Sequence, residues 1–306
     1  MPYDLSGLRL DQALVEMFPE FSRSRLQEWI KSGCVLVNGK PLRAKDKVIG
    51  GWEVALRAEL AEHGTDQAEN IPLQIVYQDA SLIIVDKPAG LVVHPAAGHW
   101  DGTLVNALLH FAPELAALPR AGIVHRLDKD TSGLLMVART LQAHKLLVDQ
   151  LQARDIEREY LALVQGCVTA GGTVDAPLGR HPTDRKRFAV RDDGKPAVTH
   201  YRVAERFAQH TLLRLKLETG RTHQIRVHMA HLHYPVFGDP VYSRLRLPAG
   251  ASPALSTCLQ DFRRQALHAT RLALTHPDSG GYCEWHSALP EDMQTLLDLL
   301  HNEQQA

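Results

Sequence analysis

Short runs of branched and aliphatic residues recur through residues 71–306, and many of the connections between them are too short for crossover helices. That spacing limits the fold more than any other feature. The runs "LIIVDKP", "GLLMVAR", "REYLALVQG", "AVTHYRVAERF", "HTLLRLKLETG" and "RLALTHP" are rich in residues that suit a pleated surface. Among them, "GTLVNALLHFA", "LQAHKLLVDQLQAR", "HQIRVHMAHL" and "EDMQTLLDLLHN" carry apolar residues at helical spacing. Strand-like runs outnumber helices, which predicts an α+β domain with a mainly antiparallel or mixed sheet and not a doubly wound parallel one.

A smaller module precedes it, at residues 7–58. In "RLDQALVEMF", Leu10, Ala13, Leu14 and Met17 form a helix stripe. A second helix follows in "RSRLQEWIKSG", with Ser22 placed to cap its start and Gly33 to end it. "CVLVNGK" reads as a strand running into an Asn38-Gly39 turn, and "WEVALRA" as a returning strand. Residues 59–70 are polar and acidic, and read as a linker between the module and the domain at 71–306.

Hydrophobic residues make up 44% of the 306, enough for two proper cores. No apolar run approaches the roughly 20 residues of a membrane span, and the N-terminal "MPYDLSGLRLDQ" has no signal-peptide pattern. Cys34, Cys167, Cys258 and Cys283 stand far apart, which fits a reducing cytoplasm and not a disulfide or zinc framework. The net charge of −1 hides a zoned distribution. Ala58 to Asp86 holds no Lys or Arg, and basic residues are denser on both sides. Such zoning is compatible with a nucleic-acid-binding face and equally with a mixed surface.

Two segments concentrate reactive residue types. "VHRLDKDTSG" (124–133) sets Asp128 and Asp130 on a loop ahead of an apolar strand, a place where rigid scaffolds carry working groups. Glycosidases pair carboxylates roughly 5–9 Å apart, but two residues of sequence fix that distance poorly, and Asp130 reads equally as a loop-shaping residue with Thr131 and Ser132. "LETGRTHQIRVHMAHLHYPVFGDPVY" reads as strand, tight turn and helix, with Arg221 at the helix start. If Arg221 met Asp128, a bidentate pair would keep that carboxylate ionised. His223, His228, His231 and His233 lack an acidic or thiolate partner, so they read as surface or hydrogen-bonded core and no metal is expected. Tyr160 lies in a strand pattern with Ile156 and Arg158 at two-residue steps. Its ring is a core residue or a platform for a base drawn out of its helix. No glycine-rich nucleotide loop is present, and no cofactor is expected.

"KPAGLVVHP", "HRLDKDTSGLL", "REYLALV", "GRTHQIRVHMAHLHYPVFGDPVY" and "QALHAT", in this order, resemble the RluA-type RNA pseudouridine synthases, and the N-terminal module resembles an S4 RNA-binding domain. The resemblance implies an isomerase that turns uridine into pseudouridine with neither metal nor cofactor. It assigns the essential aspartate to Asp128, acting by attack at the ribose or by proton abstraction at C2′. It assigns Tyr160 to stacking on the base and helping to remove the C5 proton, and Arg221 to pairing with Asp128. Leu127, Leu134 and Leu135 are expected to keep the pocket dry. The implied partner is 23S rRNA, within the large ribosomal subunit or its precursor and with the helix 69 stem-loop as target, for a monomeric cytoplasmic protein. The same chemistry at another rRNA or tRNA site, an inactive RNA-binding or ribosome-assembly factor, and a base-releasing N-glycosidase are the alternatives. Phosphate contacts are expected from Arg23, Arg25, Lys31 and Lys40 in the module, and from Arg126, Arg185, Lys186 and Arg187 in the domain.

Overall fold

The computed structural model describes residues 1–18, 23–56, 67–95, 100–184, 187–248 and 250–305, without the side chains of residues 23–25, 28 and 305. The chain divides into two compact units, Met1–Thr65 and Asp66–Ala306.

In the first unit, helices α1 (Leu10–Met17) and α2 (Arg23–Ser32) precede strands β1 (Val35–Val37) and β2 (Val54–Leu56), which pair antiparallel. Leu10, Ala13 and Leu14 of the α1 stripe are buried against Leu26, Trp29, Ile30 and Val35, while Met17 is only partly covered. Gly33 takes a left-handed φ of 80° where α2 ends, and the Cys34 N–H reaches back to the Trp29 carbonyl. Asn38 and Gly39 both have positive φ, as a type I′ turn requires. The expected cap Ser22 lies outside the described residues.

The second unit runs through β3 (Gln74–Gln78), β4 (Leu82–Lys87), α3 (Leu104–Phe111), β5 (Ser132–Ala138), α4 (Leu141–Ala153) and β6 (Glu157–Gln165). It continues with β7 (Gly172–Asp175), β8 (Leu178–Arg180), β9 (Phe188–Val190), β10 (Val198–Arg206), β11 (His210–Leu217) and α5 (Gln224–His231). Helix α6 (Pro253–Asp261), β12 (Leu267–Thr275), β13 (Tyr282–His286) and α7 (Glu291–Gln305) complete it.

Its main sheet has the order β3-β4-β5-β12-β6-β11-β10-β7, with β13 added to β12. Every pairing is antiparallel except β5 with β12. The fold is therefore α+β with a mainly antiparallel mixed sheet. Strand β5, "SGLLMVA", is buried at every position because both faces of the sheet are covered. Leu135 and Val137 join the core on one face, whereas Leu134 and Met136 pack on the other with Ala143 and Leu147 of α4. The end of the acidic segment belongs to this unit. Asn106 Nδ2 donates to the Gln67 carbonyl (2.7 Å), and the Glu69 N–H donates to the Asn106 carbonyl (3.0 Å).

One row of paired residues places the chemistry. Lys87, Gly133, Ala269, Tyr160 and Leu215 lie side by side across β4, β5, β12, β6 and β11. Gly133 has φ 110°, and an added Cβ there would overlap the Ala269 backbone, so only glycine lets β5 approach β12 this closely.

Candidate active site

The segment before β5 is held as a loop by polar contacts from three other parts of the unit. Lys87 is fully buried, and its ammonium donates to the carbonyls of Pro88 (2.7 Å), Leu91 (3.0 Å) and Lys129 (2.9 Å). Burial lowers its pKa to about 7, against the attraction of Asp130 and Asp128. Gln265 Nε2 donates to Thr131 Oγ1 (3.0 Å), Ser132 Oγ meets His268 Nδ1 (3.0 Å), and Arg264 Nη1 donates to the Asp130 carbonyl (3.2 Å). Asp130, Thr131 and Ser132 thus brace the loop that presents Asp128. Lys87→Met should strand three carbonyls and cost about 2–4 kcal/mol, measured by urea unfolding. Wild-type stability would contradict the clamp.

Asp128 and Tyr160 line one cavity of about 820 Å³, together with His125, Leu127, Arg158, Arg221 and Arg226. The arginine that reaches Asp128 is Arg226, whose Nη1 donates to Oδ2 at 2.9 Å. The expected pairing with Arg221 is corrected here. Arg221 lies in the turn before α5, exposed, with its Nε on the Pro196 carbonyl (3.1 Å). Gln224 locks that turn: its Oε1 accepts from the Arg221 N–H (3.0 Å) and Thr219 Oγ1 (2.8 Å), and its Nε2 donates to the Val198 carbonyl (2.9 Å). Arg226, in the first turn of α5, is buried and turned toward Asp128 and Asp239.

Asp239 fixes Arg226 through both oxygens, accepting from Nε (2.7 Å) and Nη2 (2.9 Å). Asp239 Oδ1 also accepts from the N–H groups of Val241 (2.8 Å) and Tyr242 (3.1 Å). Burial disfavours the Arg226 charge, yet the hydrogen bonds and attraction of Asp239, with those of Asp128, hold its pKa above the ordinary arginine value. The Tyr242 ring lies 5.2 Å from the Arg226 guanidinium carbon and 5.4 Å from that of Arg187. Asp239 and Tyr242 stand in the "GDPVY" that ends the "GRTHQIRVHMAHLHYPVFGDPVY" stretch and were not among the expected site residues. A buried Arg on α5 needs a buried carboxylate, and Asp239 is the signal for it.

Tyr160 is 5% exposed on β6, in the same sheet row as Gly133. Burial raises its hydroxyl pKa, Arg158 opposes that rise and Asp128 adds to it. Arg158 shares its strand face, whereas Ile156 precedes the strand and packs with α4. Of the three leucines expected to dry the pocket, Leu127 lines it; Leu135 lies in the core beneath and Leu134 on the opposite sheet face, because neighbours on a strand point opposite ways. His125 Nε2 accepts from the Met136 N–H (3.0 Å), which leaves the proton of the neutral ring on Nδ1.

The expected phosphate contacts divide. Arg126 is exposed on the cavity lining, as are Arg120 and Arg154, which were not anticipated. Arg187 is partly buried against Tyr242. Lys31 and Lys40 are exposed on the first unit. Arg185, Lys186 and the side chains of Arg23 and Arg25 lie outside the described residues. Among the four histidines of the "GRTHQIRVHMAHLHYPVFGDPVY" stretch, His228 commits both ring nitrogens, to Thr199 Oγ1 (2.9 Å) and the Ala176 carbonyl (3.0 Å). His223 Nδ1 meets the Tyr242 hydroxyl (2.9 Å), and His231 and His233 are exposed.

Three imidazoles are held neutral mainly by burial: His125, with a pKa lowered to about 3, and His94 and His210, each lowered to about 4. Unfolded imidazoles take up protons near pH 6.5, so below that point the unfolded chain binds more protons than the folded one. Stability should therefore fall as pH drops from about 6.5 toward 4, by about 1.4 kcal/mol per pH unit for each ring. Urea unfolding at a series of pH values checks this, and stability that does not change over that range would contradict it.

The cavity thus holds a carboxylate fixed by a doubly anchored arginine and a buried tyrosine, with exposed arginines on its lining. The family model for RNA pseudouridylate synthase matches residues 81–231, and that for the S4 domain matches residues 8–53. The chain belongs to the RNA pseudouridylate synthase family, isomerases that act on uridine in RNA. It is 57% identical to the ribosomal large subunit pseudouridine synthase D of Pseudomonas aeruginosa, over 100% of this chain and 96% of that one. It is 58% identical to the protein of the same name from Escherichia coli K12, over 96% and 91% of the two chains. Human RNA pseudouridylate synthase domain containing 4 shares the fold, with a TM-score of 0.59 at 24% identity over 74% of this chain and 93% of that one. Among the described residues, no helix is long and apolar enough to cross a membrane.

Proposed function

We propose that the chain converts uridines of 23S rRNA to pseudouridine, with the helix 69 stem-loop as its target and Asp128 as the essential group. The large-subunit specificity named for the relatives in P. aeruginosa and E. coli supports this substrate. The observation that carries the chemistry is the Asp128–Arg226–Asp239 chain (2.9 and 2.7 Å) in a cavity shared with Tyr160.

Arg226 orients the carboxylate and balances its charge, while Asp128 Oδ1 has no hydrogen-bond partner among the described residues. That oxygen is the one to act at the ribose, by attack at C1′ or by taking the C2′ proton. Tyr160 stacks on the uracil and assists proton removal at C5, and Leu127 on the lining helps to exclude water that would divert the reaction to an abasic site. Arg126 and Arg221, with Arg120 and Arg154, hold phosphates at the entrance, and the S4 unit adds RNA contacts through Lys31 and Lys40. Arg23, Arg25, Arg185, Lys186 and Arg187 complete the proposed phosphate-binding set. The protein acts as a cytoplasmic monomer, with the large ribosomal subunit or its precursor as partner.

The test is product analysis after single-turnover reaction of the purified protein with a helix 69 stem-loop RNA. Pseudouridine should form with no free uracil. Released uracil would instead identify an N-glycosidase, and unchanged RNA would overturn the target.

A further inference from the structure

The cavity contains a second buried guanidinium, and its situation differs from that of Arg226. Arg158 is 6% exposed, and its Nε has no hydrogen-bond partner among the described residues. Its one hydrogen bond there is long, from Nη2 to the Glu218 carbonyl at 3.4 Å. Among the described residues no carboxylate pairs with it; its strand neighbours Glu157 and Glu159 are engaged on the far side by Arg271 (2.7 and 2.9 Å). A buried cation left uncompensated is costly, unless a ligand brings the missing charge.

Arg158 lines the same cavity as Asp128 and lies two residues from Tyr160 on one face of β6. The other arginines of the lining differ in kind. Arg226 is saturated by Asp128 and Asp239, and Arg120, Arg126, Arg154 and Arg221 are exposed, where backbone phosphates pass. The depth of Arg158 matches the base.

We propose that the Arg158 guanidinium donates to a carbonyl oxygen of the extruded uracil and stabilises the charge that this base carries once its bond to ribose is broken. The inference rests on the pseudouridine synthase reading of the site. Breaking C1′–N1 leaves the electron pair on the base, shared by N1 and the two carbonyl oxygens. Forming C5–C1′ returns a pair to the sugar, and the proton lost from C5 balances the one gained at N1. Neutral uracil gains little from the cation and the anion gains much, so the contact favours the transition state. Gly220 serves the same end, since a Cβ there would lie 2.8 Å from Arg158 Nη1 and displace the guanidinium.

The test compares single-turnover glycosidic cleavage of a stem-loop RNA carrying uridine with that of the same RNA carrying 5-fluorouridine at the target. Fluorine makes the base a better anion and lessens its need for the cation. Arg158→Met should slow the uridine substrate by about 10²–10³-fold with RNA affinity within about threefold of wild type, and the deficit should shrink by about tenfold or more on 5-fluorouridine. Gly220→Ala should show the same substrate dependence, more weakly. If the methionine variant does not fold, Arg158→Gln, which removes the charge but keeps a polar side chain, carries the same comparison. An equal deficit on both RNAs, a loss confined to RNA affinity, or a near-wild-type rate would overturn the role of Arg158. Wild-type protein inert toward both RNAs would overturn the function itself.

Discussion

Asp128→Asn should abolish pseudouridine formation, slowing single turnover by roughly ten-thousand-fold or more, while RNA affinity and unfolding free energy stay close to wild type. Asparagine keeps the shape and still offers Arg226 an oxygen acceptor at the Oδ2 position, 2.9 Å from Nη1 in the native site. It removes the negative charge that both routes at the ribose require. The loop itself is held by Lys87, Gln265 and Arg264 through atoms of neighbouring residues, so it should not move. Binding should survive because the proposed phosphate contacts, on exposed arginines of the cavity lining and on the S4 unit, are untouched. Rapid-quench kinetics with a stem-loop RNA, together with a binding titration, separate the two. Retained activity, or loss of binding alone, would end the assignment of Asp128.

Arg226→Met should be the most damaging single change to the architecture of the site. It leaves the Asp239 carboxylate, whose side chain is fully buried, without its cation, at a cost of about 3–5 kcal/mol. It also releases Asp128 from its orienting contact, so activity should fall together with stability. The double variant Arg226→Met/Asp239→Leu should recover most of the stability, because both buried charges are then gone, but none of the activity. Urea unfolding and single-turnover rates on the three proteins test this. Recovery of activity in the double variant would show that Arg226 serves only to neutralise Asp239.

The long elements were legible because their patterns are unambiguous. β5 is a continuous apolar run with glycine at its start, and α4 has the periodicity of a helix over thirteen residues. The short pieces were not. β7, β8 and β9 have four, three and three residues, too few to display a period, and α6 rests on the Ser252 cap and Pro253 more than on a stripe. Asp128 stood out because its charged loop is set between two apolar runs, the second of which is β5. Its partner was misplaced by five positions, from Arg226 to Arg221, because a basic residue in a turn resembles an anion site, while an arginine inside a helix resembles surface. Burial of Arg226 depends on Asp239, thirteen residues on and beyond the helix, a contact that local periodicity does not carry. In the sequence Arg158 is only a strand neighbour of Tyr160, since its lack of a partner arises once the cavity is formed.

Nucleotide-resolved pseudouridine mapping of 23S rRNA tests the central claim most directly, in cells lacking the gene and in the same cells supplied with wild-type or Asp128→Asn protein. The signals in the helix 69 stem-loop should vanish with the gene, return with the wild-type protein, and stay absent with Asp128→Asn at equal protein level. Signals that persist without the gene, or that return with Asp128→Asn, would contradict it.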